Sequence, residues 1–242
     1  MLKKKPTFNY LKPIIILLLA IFLFFIILLI SNFFSLVSTS NKLATNPATK
    51  LTTKNLMTLV SALSPDKSQL TKPKLYADSP IKGDAKAPIT IFEFSGFDCP
   101  YSLGVQEILN KLLADYQGKI KLVWKDLPIN PNDENVMLAH QAARCAQKQN
   151  KFWQYHDLLW QNQKNLTIDN FKRIATDLKL NQLDFETCLK DPEIIKIIEK
   201  DMDEADQLMI SGTPHFYIND QEVMGVNDYN EFKKIIDGEL KQ

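Results

Sequence analysis

Past residue 80 the hydrophobic period of the chain changes several times. Residues 88–95 carry apolar side chains at Ile89, Ile91, Phe92 and Phe94, which predicts a strand. Over 100–117 the apolar positions Val105, Ile108, Leu109, Leu112, Leu113 and Tyr116 return every three to four residues. That period predicts a helix, with Gly118 as its stop. Residues 119–125 alternate through Ile120, Leu122 and Trp124, a second strand. Four helical segments follow. Residues 131–150 have an alanine-rich face, and 152–161 repeat aromatics at Phe152, Tyr155 and Trp160. Residues 168–178 are opened by the capping residue Thr167, and 183–210 are broken at Asp191-Pro192, where proline suits a first helical turn. Two short strands, 215–219 and 222–226, flank the turn Asn219-Asp220-Gln221, and a last helix covers 229–240. The order β-α-β, helical block, β-β-α predicts an α/β layer fold with a helical insertion at about 131–210.

The N-terminal pattern is of another kind. Residues 14–30 contain no polar side chain, and continuing to Val37 gives twenty-four residues. At about 1.5 Å per residue they reach roughly 36 Å, enough to cross a bilayer core of about 30 Å with some tilt. Such a run is apolar on every face, unlike an ordinary core helix. Lys3, Lys4, Lys5 and Lys12 precede it without an acid among them. Positive charge stays on the cytoplasmic side, so the expected layout is a cytoplasmic stretch 1–12, a transmembrane signal anchor 13–37 and an extracytoplasmic remainder. A cleaved signal peptide is the alternative, with Ser38-Thr39-Ser40 as its small residues. Residues 38–79, rich in Thr, Ser, Lys, Asn and Pro, read as a linker. Leu56, Leu59, Val60 and Leu63 mark one short amphipathic helix within it. The folded domain is then 80–242.

Composition narrows the chemistry. A net charge of +1 argues against a nucleic-acid partner. Three histidines and three cysteines leave no paired-cysteine zinc site, so no metal is expected. An outward-facing domain lies in an oxidising compartment.

Cys99 stands between the first strand and the first long helix. Free amides and the helix dipole favour negative charge there, and hence a reactive thiolate. Three residues on, where a redox pair would place its second sulfur, the chain has Ser102. The two side chains lie one helical turn apart, so Ser102 is expected to face Cys99 and to donate a hydrogen bond to its thiolate. A hydroxyl cannot attack a mixed disulfide as a thiol does.

The element order resembles the thioredoxin fold and, within it, the DsbA-like family of extracytoplasmic thiol–disulfide oxidoreductases. The residues that carry the likeness are Phe94-Ser95-Gly96-Phe97-Asp98-Cys99-Pro100-Tyr101 and Gly212-Thr213-Pro214-His215-Phe216, with Ala143-Arg144-Cys145-Ala146 and Lys151-Phe152-Trp153 in the insertion. The departure is CPYS in place of the family's CxxC. The resemblance implies that Cys99 is the catalytic thiol, supported by Pro100 and Tyr101. It implies that Pro214 is the family's cis-proline, and that Thr213 offers its backbone to an extended substrate. It also implies that Glu93 is the buried acid below the active site, with Lys125 as its basic neighbour; two solvated strand residues are the alternative. His215 reads as a satisfied structural histidine. Cys145 and Cys188, forty-three positions apart, read as a structural disulfide, or else as two buried free thiols. The aromatic residues 152–160 read as core.

The expected activity is therefore thiol–disulfide exchange, isomerase-like or monothiol, on cysteine-containing polypeptides, with no cofactor. An external thiol or a redox partner protein resolves the mixed disulfide. The rival is a peptide-binding or chaperone module that has lost catalysis.

Overall fold

The computed structural model describes residues 70–241. The anchor at 13–37, the stretch 1–12 and the helix expected near residues 56–63 lie outside them. Among the described residues no helix is long and apolar enough to cross a membrane.

Five strands form one sheet: β1 (Ile81–Gly83), β2 (Ile89–Ser95), β3 (Ile120–Asp126), β4 (His215–Ile218) and β5 (Gln221–Met224). Their order is β1-β3-β2-β4-β5. β2 and β3 run parallel, while β1 on β3, β4 on β2 and β5 on β4 are antiparallel. Seven helices complete the domain: α1 (Pro100–Asp115), α2 (Glu134–Gln147), α3 (Phe152–Gln161), α4 (Ile168–Asp177), α5 (Gln182–Cys188), α6 (Pro192–Gln207) and α7 (Tyr229–Glu239). The architecture is a thioredoxin-type α/β sheet with a helical insertion, α2 to α6. β1 is the element that periodicity does not announce: three residues are too few to show an alternation.

Side chains alternate across the sheet and so divide the core in two. On one face Ile89, Ile91, Ile120, Leu122, Phe216 and Ile218 pack with Val105, Leu109 and Leu112 of α1 and with Phe232 and Ile236 of α7. On the other, Phe92, Phe94, Val123 and Tyr217 meet Ala205 and Leu208 at the end of α6. The insertion has its own cluster, in which Phe152, Tyr155, Leu159 and Trp160 are buried and Trp124 and Phe97 join from the sheet side. Cys145 of α2 and Cys188 of α5 are joined by a disulfide, Cα–Cα 5.7 Å. The stretch 70–79 is built into the domain: Lys72 pairs with Asp220, the Lys74 amide donates to Glu204, and Lys200 pairs with Asp78.

A buried ionic cluster ties the insertion to the sheet. Arg144 of α2 reaches Asp126 on β3 and Asp201 on α6, each at 2.6 Å. Lys125 contacts Asp201 at 3.2 Å and Glu204 at 2.5 Å, and His140 Nδ1 lies 2.7 Å from Asp126. All six side chains are buried. The Arg144 guanidinium and His140 hold the Asp126 carboxyl far below the usual range against the cost of burial.

Candidate active site

The end of β2 delivers the chain into a tight turn, in which the Cys99 amide donates to the Gly96 carbonyl at 2.9 Å. A Cβ on Gly96 would stand 2.6 Å from both Asp98 Oδ1 and the Leu127 carbonyl oxygen, so the turn requires glycine there. Phe97 is buried and stacks on Trp124 with ring centroids 4.9 Å apart. The Asp98 carboxylate accepts from the Ile129 and Asn130 amides at 3.1 and 3.0 Å. It fastens the turn to the loop after β3. From the insertion, Gln163 Nε2 donates to the carbonyls of Phe97 and Cys99 at 3.0 and 2.8 Å.

Cys99 is the N-cap of α1, with Pro100 as the first helical residue and no side chain capping the helix. A proline at that position has no N–H to lose and a preset φ. Across from it the Thr213–Pro214 bond is cis. Cys99 Sγ donates to the Thr213 carbonyl at 3.3 Å. The structure thus brings Cys99, Pro100, Ser102, Thr213 and Pro214 to one place. Tyr101 stands at the rim, 68% exposed, beside Leu103. A groove of about 190 Å³ begins at Thr213 and runs between Ile129, Leu127, Pro128 and Ile210.

Three expectations change. Cys99 is fully buried, whereas thiol exchange needs an accessible sulfur. Ser102 makes no hydrogen bond to it: the sulfur is turned to Thr213, and the buried Ser102 Oγ has no partner. Lys125 is not the neighbour of Glu93. In the β2–β3 register Glu93 lies opposite Trp124 and Phe94 opposite Lys125, so the two side chains point to opposite faces of the sheet. Lys125 is spent on Asp201 and Glu204.

Glu93 itself is fully buried on the α1 side. Its Oε1 accepts from Gln106 Nε2 at 2.8 Å, and its Oε2 has no partner. Burial raises its pKa to about 7, against the pull of the Gln106 hydrogen bond. Gln106 went unnoticed in the sequence; its signal was its place one helical turn after Ser102, on the inward side of α1. Gln163 left no comparable signal, since it comes from a loop sixty-four residues from Cys99. His215 is buried with Nε2 2.9 Å from Glu222, and burial lowers its pKa.

A thioredoxin family model matches residues 77–238. The chain is 31% identical over 180 residues to a probable disulfide bond formation protein D of Bacillus anthracis, covering 69% of this chain and 81% of that one. It is 34% identical over 139 residues to the Na(+)/H(+) antiporter NhaA 3 of Salinispora tropica, but there the match spans 57% of this chain and only 21% of the relative. Among solved structures, oxidised BdbD of Bacillus subtilis superposes with a TM-score of 0.62 at 25% identity, over 68% of this chain and 94% of that one. A family match across two thirds of the chain, a relative covered over four fifths of its length and a cysteine set against a cis-proline loop lead to one assignment: this chain belongs to the thioredoxin family, in its DsbA-like branch.

Proposed function

We propose that the protein is a thiol–disulfide exchange enzyme that works through the single thiol of Cys99, with Ser102 and Pro214 completing the site. The observation that carries this reading is the seat of Cys99: the N-terminus of α1, with its sulfur 3.3 Å from the Thr213 carbonyl. The Cys99 thiolate attacks one sulfur of a substrate disulfide. A Cys99–substrate bond forms, the substrate S–S bond breaks, and one substrate thiolate leaves. A second substrate thiolate then attacks the mixed disulfide, closes a new substrate disulfide and returns Cys99. No net electrons are exchanged, which is isomerisation. An external thiol or a redox partner protein resolves intermediates that the substrate does not. Attack requires Cys99 to leave its buried position against Thr213. The substrates are cysteine-containing polypeptides outside the cytoplasm, and the apolar run at 13–37 anchors the enzyme as a single-pass membrane protein.

A second reading is a peptide-binding module without catalysis, favoured by the burial of Cys99 and the serine at position 102. A scrambled, disulfide-linked substrate separates the two. The exchange enzyme restores native pairing, Cys99→Ala abolishes this, and mixed disulfides through Cys99 are seen on non-reducing gels. Ser102→Cys adds net dithiol oxidation or reduction that the parent lacks. A Cys99→Ala protein that refolds the substrate as well as the parent establishes the binding module instead.

A further inference from the structure

Glu93 is an acid buried with no cation in contact, held by one side chain. Gln106 Nε2 donates to Glu93 Oε1 at 2.8 Å and to the Ser102 carbonyl at 3.0 Å. One carboxamide thus joins the acid on β2 to the first turn of the Cys99-bearing helix. Around this bridge Glu93 Oε2, Ser95 Oγ and Ser102 Oγ are buried without partners. We propose that Gln106 is a positioning residue of the exchange site: it ties the Glu93 carboxyl to α1, so that Glu93 answers to the side chain at position 106 and not to Lys125.

The other charged groups around Glu93 leave Gln106 in control. On β3, Asp126 shares its face of the sheet but is engaged by Arg144, His140 and Trp124 Nε1. Lys125, Asp201 and Glu204 meet across the sheet. Lys82 of β1 exerts the smallest of the pulls on Glu93, and it is held by Asn110 and Asp157. On β4 the residue opposite Glu93 is Phe216, which cannot titrate. On α1 the titratable side chains Tyr101, Glu107, Lys111 and Asp115 are exposed, and Lys111 pairs with Asp115. A neutral donor stabilises the carboxylate less than a cation does, so Glu93 keeps its proton to higher pH than an ion-paired acid.

The inference rests on the exchange reading for its consequence, but its test does not. The protonated carboxyl of Glu93 is followed by infrared difference spectroscopy against pH in the full-length chain, with Glu93→Gln as the blank. Gln106→Leu moves the midpoint up by about one pH unit and Gln106→Lys moves it down by about one or more. The pH profile of Cys99 alkylation shifts in the same directions. A midpoint that stays put in both variants overturns the proposal, as does an equal shift in Lys125→Arg. Midpoints that move as stated, in a protein that exchanges no disulfides, keep the clamp and refute the exchange reading.

Discussion

At the scale of single residues the decisive position is Glu93, because burial works directly on its proton. In the unfolded chain it titrates near the ordinary value of 4.5, and burial in the fold pushes it up to about 7. Between those pH values the folded state holds a proton that the unfolded state has released. Stability therefore falls as pH rises through this window and is level above it. The full difference amounts to about 3 kcal/mol. Glu93→Gln removes the ionisation and keeps a partner for Gln106. Chemical denaturation is expected to find this variant more stable than the parent at pH 8 by up to about 3 kcal/mol, with the gap closing near pH 4. A gap independent of pH would refute the buried-acid account. Ser102 is the opposite case: a residue plain in the sequence, whose hydroxyl turns out to serve no hydrogen bond.

Among elements, the turn from β2 into α1 decides where the sulfur sits. It is held from two sides, by Asp98 to the loop after β3 and by Gln163 to the insertion. Gly96 makes this possible by having no Cβ. In Gly96→Ala the new methyl meets the Leu127 backbone as well as Asp98, and backbone yields less than a side chain. The cost is about 1–3 kcal/mol. Urea unfolding measures that loss, and Cys99 alkylation by a small reagent speeds up as the loosened turn uncovers the sulfur. An alanine variant with parental stability and parental alkylation rate would show that the turn has room to spare.

For the molecule as a whole, the insertion and the sheet are joined through charge as well as through packing. Arg144 is the shared member, touching Asp126 on β3 and Asp201 on α6. Arg144→Met takes from two buried carboxylates the cation they share, leaving His140 beside Asp126 and Lys125 beside Asp201. Removing one partner of a buried pair typically costs about 3–5 kcal/mol, more than the pair itself contributes. Thermal unfolding is expected to show that loss at pH 7 and a smaller one at pH 5. There Asp201, whose pKa is raised by burial to about 6, takes up a proton and no longer needs the arginine. A loss under 1 kcal/mol at neutral pH would mean that Lys125 and water neutralise the cluster without Arg144.

The order of elements from β2 onward, the insertion, the placement of Cys99 before α1 and the core role of Phe152, Tyr155 and Trp160 were legible in the sequence. They follow from periodicity, capping and chain order, which act over a few residues. What the sequence could not supply was the choice of partner across the sheet. Whether Glu93 meets Lys125 or Gln106 depends on strand register, since one residue of offset moves a side chain to the other face. That Cys99 is covered, and that Gln163 reaches it from the insertion, depends on how separately formed units pack together. Such contacts join positions far apart in the chain, where no local pattern records them.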